Sequence, residues 1–281
     1  GRAVAAAPAA DVMGNEPRPE LRATLVSPGG LSGIQIDGRL TEPAWSAADS
    51  IANLTTTEPE EGGVPESKTV VRVLVDSEDI VIGLSCLDSD PTGIVAFSKA
   101  RDAELDEEDN VLIVIDTFGD GRSGYAFAIN PSSSRFDGLV SPAGDDVNAD
   151  WDAVWEGVAS RDSSGWSAEF RIPIKSLGFR KGLQQWGFNV ERHVQRLQET
   201  SRWSGAKRDY QIWQMSRAGL LGGLPAFDQG RGLTVQPGWV SFMRRIGPNR
   251  PQEEKTQLSL DVRQQLGSNM AAALTYNTDF G

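Results

Sequence analysis

The sequence predicts an all-β protein: an antiparallel β-sandwich with short helices and a C-terminal β-hairpin tail. Three observations carry this. Short stretches such as TVVRVLVD (69–76) and WSAEFRIPI (166–174) alternate apolar and polar residues, the period of a strand with one buried face. Turn signals separate such stretches, among them Asp120-Gly121 in FGDGRS, which marks a hairpin. Helical patterning is confined to one short stretch, and regularly spaced short strands with few helices indicate a sandwich or barrel.

Taken in order, residues 1–32 lack periodicity and are rich in Ala, Pro and Gly, so they read as a flexible arm. IQIDGRLTEPAWSAADSI (34–51) offers a strand, a turn and a short helix. Thr41 is the expected N-cap, Pro43 fits a first turn, and Trp45 and Ala48 share the inner face. TVVRVLVD and DIVIGLSCLD (79–88) form a hairpin, with Val71, Val73 and Val75 on one face. NVLIVIDT (110–117) and GYAFAINP (124–131) flank the Asp-Gly turn. In WSAEFRIPI, Trp166, Ala168, Phe170 and Ile172 face in, Ser167, Glu169 and Arg171 face out, and Pro173 ends the pairing. WGFNVERHVQR (186–196) continues the pattern, and the sandwich is expected over 33–243.

Residues 244–281 read as a linker and hairpin tail. RRIGPNRPQEEK is polar and broken by proline, and two strands of about ten residues lie beyond it around GSN. Leu258, Leu260 and Val262 alternate with polar residues, as more weakly do Met270, Ala272, Leu274 and Tyr276. This pattern fits an outer-membrane barrel hairpin and equally a soluble edge hairpin. Two strands do not close a barrel.

The chain has 281 residues, a 39% hydrophobic fraction and a formal net charge of -12. It is long enough for one large core. Its charge disfavours nucleic acid and anionic membrane surfaces. No run of about 18 apolar residues occurs, so no transmembrane helix is expected. Cys86 is the single cysteine, in an apolar run, and an intramolecular disulfide is impossible. The opening GRAVAAAPAADVMGNEPRPE resembles the start of a processed, exported chain.

In order, the segments IDGRLTEPAW, VRVLVDSEDIVIGLSCLDSDP, EEDNVLIVIDT and GWSAEFRIPIKSL resemble the family-nine carbohydrate-binding module. With DTF, YAFAINP, DWDAVW and WGFNVERHVQRLQETSRWS, they are most similar to the form found at the N-terminus of uncharacterised bacterial outer-membrane β-barrel proteins. The likeness covers roughly 33–243, and LTYNTDFG looks like the opening of that family's barrel. It implies an antiparallel sandwich without catalytic apparatus, often with a calcium site. Sugar-binding members clamp a saccharide between two aromatic rings, one of them just before the strand matching NVLIVIDT. Here that region reads ELDEED, with no aromatic residue.

Asp102, Asp106, Asp109, Asp145, Asp146, Asp150 and Asp152 lie in two acidic loops. They would supply the oxygen ligands of a calcium ion if the loops meet, or else form a solvated rim that keeps an edge from pairing. Catalysis is not expected. The one histidine, His193, lies in an alternating strand, and HExxH, GxSxG and phosphate-loop motifs are absent. Trp151, Trp155, Trp203 and Trp213 flank polar loops. Each either packs on the sandwich or offers an exposed ring to a sugar or a protein. FMRRIGPNRP is locally basic, and arginine favours interfaces.

The resulting expectation is a non-catalytic, exported, periplasmic or outer-membrane-associated module. It either docks onto a larger envelope or membrane protein assembly as an accessory subunit or binds a glycan next to an outer-membrane barrel. The missing clamp aromatic favours docking.

Overall fold

The computed structural model describes residues 18–142, 144, 146–228, 233–244, 253–265 and 271–276. Its strands are β1 (Glu20–Arg22), β2 (Thr24–Leu25), β3 (Ser50–Ile51), β4 (Thr55–Glu58), β5 (Thr69–Val75), β6 (Asp79–Leu87), β7 (Asn110–Asp116), β8 (Gly124–Ile129) and β9 (Arg135–Val140). They continue as β10 (Val147–Asn148), β11 (Glu156–Asp162), β12 (Gly165–Pro173), β13 (Trp186–Val194), β14 (Glu199–Arg202), β15 (Gly219–Gly222), β16 (Leu233–Arg244), β17 (Glu253–Gln265) and β18 (Ala271–Tyr276). A five-residue helix, α1, spans Pro43–Ala47.

Two sheets make the sandwich. The nine-stranded sheet runs β1-β15-β13-β7-β8-β9-β10, with β14 pairing to β13 and β4. The six-stranded sheet runs β11-β12-β6-β5-β2, with β3 on β5. The period-two alternation sends one set of side chains into the space between them. β7 contributes Val111, Ile113 and Ile115, and β8 contributes Tyr125, Phe127 and Ile129. From the opposite sheet come Val71, Val73, Val75, Ile80, Ile82, Leu84 and Cys86, and Trp166, Ala168, Phe170 and Ile172 of β12 face in as the sequence predicts.

Three expectations change. The arm over 1–32 is not free at its end: β1 pairs in parallel with β15, and β2 pairs in parallel with β5. Strands of three and two residues are too short to show a period, yet Leu21 is buried. Residues 1–17 of that expected arm lie outside the described residues. At the other end the sandwich stops before 243. β16, β17 and β18 form a separate three-stranded sheet, so the proline-broken stretch falls between two paired strands rather than before a hairpin. Finally, Glu42 rather than Thr41 is the N-cap of α1.

A fourth correction concerns the outer face of the six-stranded sheet. Alternation places Glu169 at the surface, and it is fully buried. Residues 31–48 fold over this face and build a second core from Leu31, Ile34, Trp45, Leu74 and Val81. Gly83 lies beside Glu169 in the register. A Cβ on Gly83 would sit 2.7 Å from Leu40 and 2.9 Å from the Trp45 ring, so only glycine admits the indole. Trp45 Nε1 then donates to Glu169 Oε1 at 3.1 Å, while the amides of Asp37 and Gly38 donate to Oε2 at 3.0 Å. On the same face Arg171 donates to the carbonyls of Leu31 and Ile34. Alternation reports which side of a strand is apolar; it does not reveal that a strap covers the polar side.

Burial pushes the Glu169 carboxyl up to about 7, against the pull of its amide and indole donors. The fold therefore keeps a proton that the unfolded chain has released above its ordinary value of 4.5. Its contribution to stability should fall as pH rises from about 4.5 to 7, the reverse of a salt-bridged carboxylate. Across pH 5 to 8 the loss should be on the order of 2 kcal/mol. Denaturant titrations of wild type and Glu169→Gln should show it: the wild-type slope is expected to exceed that of the variant, and parallel pH profiles would contradict the assignment.

Candidate functional site

The acidic segment 102–109 sends some of its charge inward. Glu108 is buried and accepts from the amides of Phe97 (2.8 Å) and Ser98 (3.2 Å) and from Asn130 Nδ2 (2.8 Å). Asp109 is buried as well. Its Oδ1 accepts from the amides of Val95 and Gln195, and burial raises its pKa. Asp106, Asp146 and Asp150 are exposed, and Asp145 lies outside the described residues.

The two acidic loops do meet, and the cation at their meeting point is Arg101. Its guanidinium lies 3.5 Å from Asp102, 2.7 Å from Asp137 and 2.9 Å from Asp152. Among the described residues, no three His, Cys, Asp or Glu side chains form a group that could hold a metal. Asp137, fully buried, also accepts from the Ala153 amide at 2.6 Å and from Trp155 Nε1 at 3.0 Å.

Trp155 and Trp203 are therefore not surface rings. Trp155 is buried and stacks on Phe170 at 5.5 Å, with the Arg135 guanidinium over its ring. Trp203 is buried edge-on to Phe188, where Gly219 leaves room for it. Trp151 is half-buried against Tyr125. A loop-flanking position does not indicate direction, and these rings point under their loops.

Trp213 differs. The outer face of the nine-stranded sheet is half covered: Ile212 and Met215, from the segment 205–217, pack on Val114, Ala126 and Val140. Beyond this cover the face is partly exposed. Leu112, Phe136, Val147 and Trp213 lie there, each half-buried against that small cluster. Leu112, Ala128 and Phe136 occupy one register row across β7, β8 and β9, and Glu191 of β13 extends it. Glu191 accepts from Arg202 Nε at 2.7 Å, and Arg202 Nη1 donates to the carbonyls of Gly205 and Tyr210, tying the cover to the sheet. One row on, His193 contacts Thr200 Oγ1 at 3.1 Å and Gln195 Oε1 at 2.7 Å. The Trp213 Nε1 has no hydrogen-bond partner among the described residues.

This arrangement pairs an apolar floor and an aromatic ring with planar polar groups. The carboxylate beside His193, Glu191, is held by Arg202. Sequence reasoning misses Leu112 because NVLIVIDT reads as continuously apolar, which hides an outward leucine, and Phe136 because RFDGLV (135–140) carries no clear strand pattern. In the segment before β7, Leu105 is buried and Phe97 is 65% exposed.

Arg101→Ala should leave Asp102, Asp137 and Asp152 without their shared cation. The guanidinium side chain is 36% exposed, so the loss should be about 2 kcal/mol, below the roughly 3–5 of a wholly buried pair. Calcium should then raise the melting temperature of the variant and leave wild type unchanged. A wild-type melt that shifts with chelator would contradict Arg101 as the resident cation.

The chain matches no family model and no curated protein. Among solved structures it is similar to a family-nine carbohydrate-binding module of Caldicellulosiruptor kristjanssonii in complex with cellotriose, with 15% identity and a TM-score of 0.50 over 72% of this chain and 92% of that one. The corresponding module from that organism in complex with glucose gives 12% and 0.53 over 75% and 98%. A Bacteroides uniformis protein named for carbohydrate binding gives 12% and 0.57 over 73% and 99%. At this identity the likeness concerns the fold alone: the sandwich is built like a family-nine carbohydrate-binding module.

Proposed function

We propose that this chain is a non-catalytic glycan-binding module and that the partly exposed half of the nine-stranded sheet's outer face receives the sugar. One observation carries the reading: Trp213, Phe136 and Leu112 form a half-exposed apolar surface beside the Glu191–Arg202 pair and His193. A pyranose has an apolar C–H face and a rim of hydroxyls. It requires an aromatic or aliphatic platform flanked by fixed hydrogen-bonding groups. Two of the fold neighbours were solved with cellotriose and with glucose, which supports the same class of ligand. With one ring of the expected clamp absent, affinity should be about millimolar, near 4 kcal/mol.

A second observation favours attachment to a membrane assembly. In the three-stranded sheet Val235, Leu260, Leu274 and Tyr276 are 52%, 40%, 71% and 72% exposed. Val235, Val262 and Leu274 share one register row, and Leu260 and Tyr276 share the next on the same face. The opposite face carries Asp261 accepting from Thr275. β16 and β17 are 12 and 13 residues long, enough for tilted strands crossing an outer membrane. In this reading the chain is exported, and the three-stranded sheet holds the glycan-binding sandwich at the outer membrane.

Trp213→Ala should weaken binding to a responsive glucan about tenfold, the worth of one aromatic platform, with the fold retained by circular dichroism. Calorimetry checks it; unchanged affinity would move the sugar away from this face. Deleting residues 229–281 should leave sandwich stability and glycan binding intact and release the chain from outer-membrane fractions. Retained membrane attachment would argue against the second observation.

A further inference from the structure

Some arginines of this acidic chain are neutralised by ion pairs. Arg101, Arg192, Arg196, Arg202 and Arg208 all face carboxylates. Arg122 and Arg217 form no ion pair with a described carboxylate, and both line one cleft of about 260 Å³. The Arg217 guanidinium lies over the Tyr210 ring, 4.5 Å from its centroid. Gln214 and Ser216 add polar lining, and Asp209 is the acidic residue among the described lining residues. An arginine stacked by its face keeps its edge donors free, and that fork matches a carboxylate.

The cleft walls are backbone held against backbone. Gly121 and Gly144 have positive φ, and Cβ atoms there would meet Ser216 and Gln214 backbone at 3.6 and 3.4 Å. One wall is the segment 205–217, which also presents Trp213 to the partly exposed sheet face. The cleft and the aromatic surface are thus carried by one piece of chain. The cleft volume lies just below the roughly 300–1,000 Å³ of drug-sized pockets, which suits a single sugar residue.

We infer that this cleft is a subsite for an acidic sugar residue, with the carboxylate of a uronate held by Arg122 and Arg217 and the ring edge set beside Tyr210. The inference rests on the glycan-binding reading and narrows its ligand class to uronate-containing saccharides.

The test is calorimetry of the 281-residue protein with an oligogalacturonate, the neutral oligogalactoside of equal length and a sulfated oligogalactoside. The uronate should bind at least about tenfold more tightly than the neutral ligand, the worth of hydrogen bonds to a charged group. Arg122→Gln and Arg217→Gln should each remove that preference while leaving neutral binding unchanged. Arg122 is exposed at the cleft wall, so its variant keeps the test valid if Arg217→Gln fails to fold. Equal affinity for the uronate and neutral ligands, unaltered by Arg122→Gln, would overturn the subsite and leave the glycan reading standing. So would a preference for the sulfated sugar over the uronate. Binding of no saccharide would overturn both.

Discussion

Asp137 is the fastening on which the candidate face depends. It is a buried carboxylate, and such a group costs several kcal/mol unless its lone pairs are filled. Here they are filled by Arg101, the Ala153 amide and the Trp155 indole. That one group joins β9 to the loop 101–102 and to the loop 150–155, and it fixes the ring that stacks on Phe170 across the sandwich. The same device recurs. Glu108 ties residues 97–98 to Asn130. Asp116 accepts the amides of Phe118, Gly119 and Gly121 and closes the β7–β8 turn. Glu169 holds the strap over the second sheet, and Glu199 takes the amides of Glu66 and Ser67. The sandwich supplies the core, and buried carboxylates clamp its connections.

This has a functional consequence. Binding residues on connections work only if the connections are held. Arg202 crosses from β14 to the carbonyls of Gly205 and Tyr210, so the segment that covers half of the outer face also positions Trp213 at its rim. A wholly covered face would present no surface, and an uncovered one would have Leu112, Val114 and Ala126 exposed beside Phe136 without Trp213. The partial cover produces a surface with apolar floor, ring and polar edge together.

The legibility of the sequence obeys the same physics. Trp166 and Phe170 are legible because a strand with one buried face writes its pattern in alternation. Glu169 is misread because that pattern does not report a second layer. The charge density at 102–109 is legible, and its direction is not: Glu108 and Asp109 turn in, Asp106 turns out, and Arg101, adjacent in sequence, supplies the cation. Among the candidate tryptophans, Trp213 stays at a surface, and Trp155 and Trp203 go to the core. Nothing in the composition of the flanking loops separates them. The separation depends on long-range partners, Asp137 for Trp155 and Gly219 for Trp203.

The claim that buried carboxylates fasten the loops is tested most directly by hydrogen exchange in Asp137→Asn. Asparagine keeps the shape but turns an amide donor toward groups that are already donors. Exchange of the Ala153 amide and the Trp155 indole N–H should accelerate by about tenfold or more, corresponding to a buried charged hydrogen bond lost, while the strand amides of β5, β6 and β12 keep their protection. Unchanged protection at Ala153 and Trp155 would contradict the account.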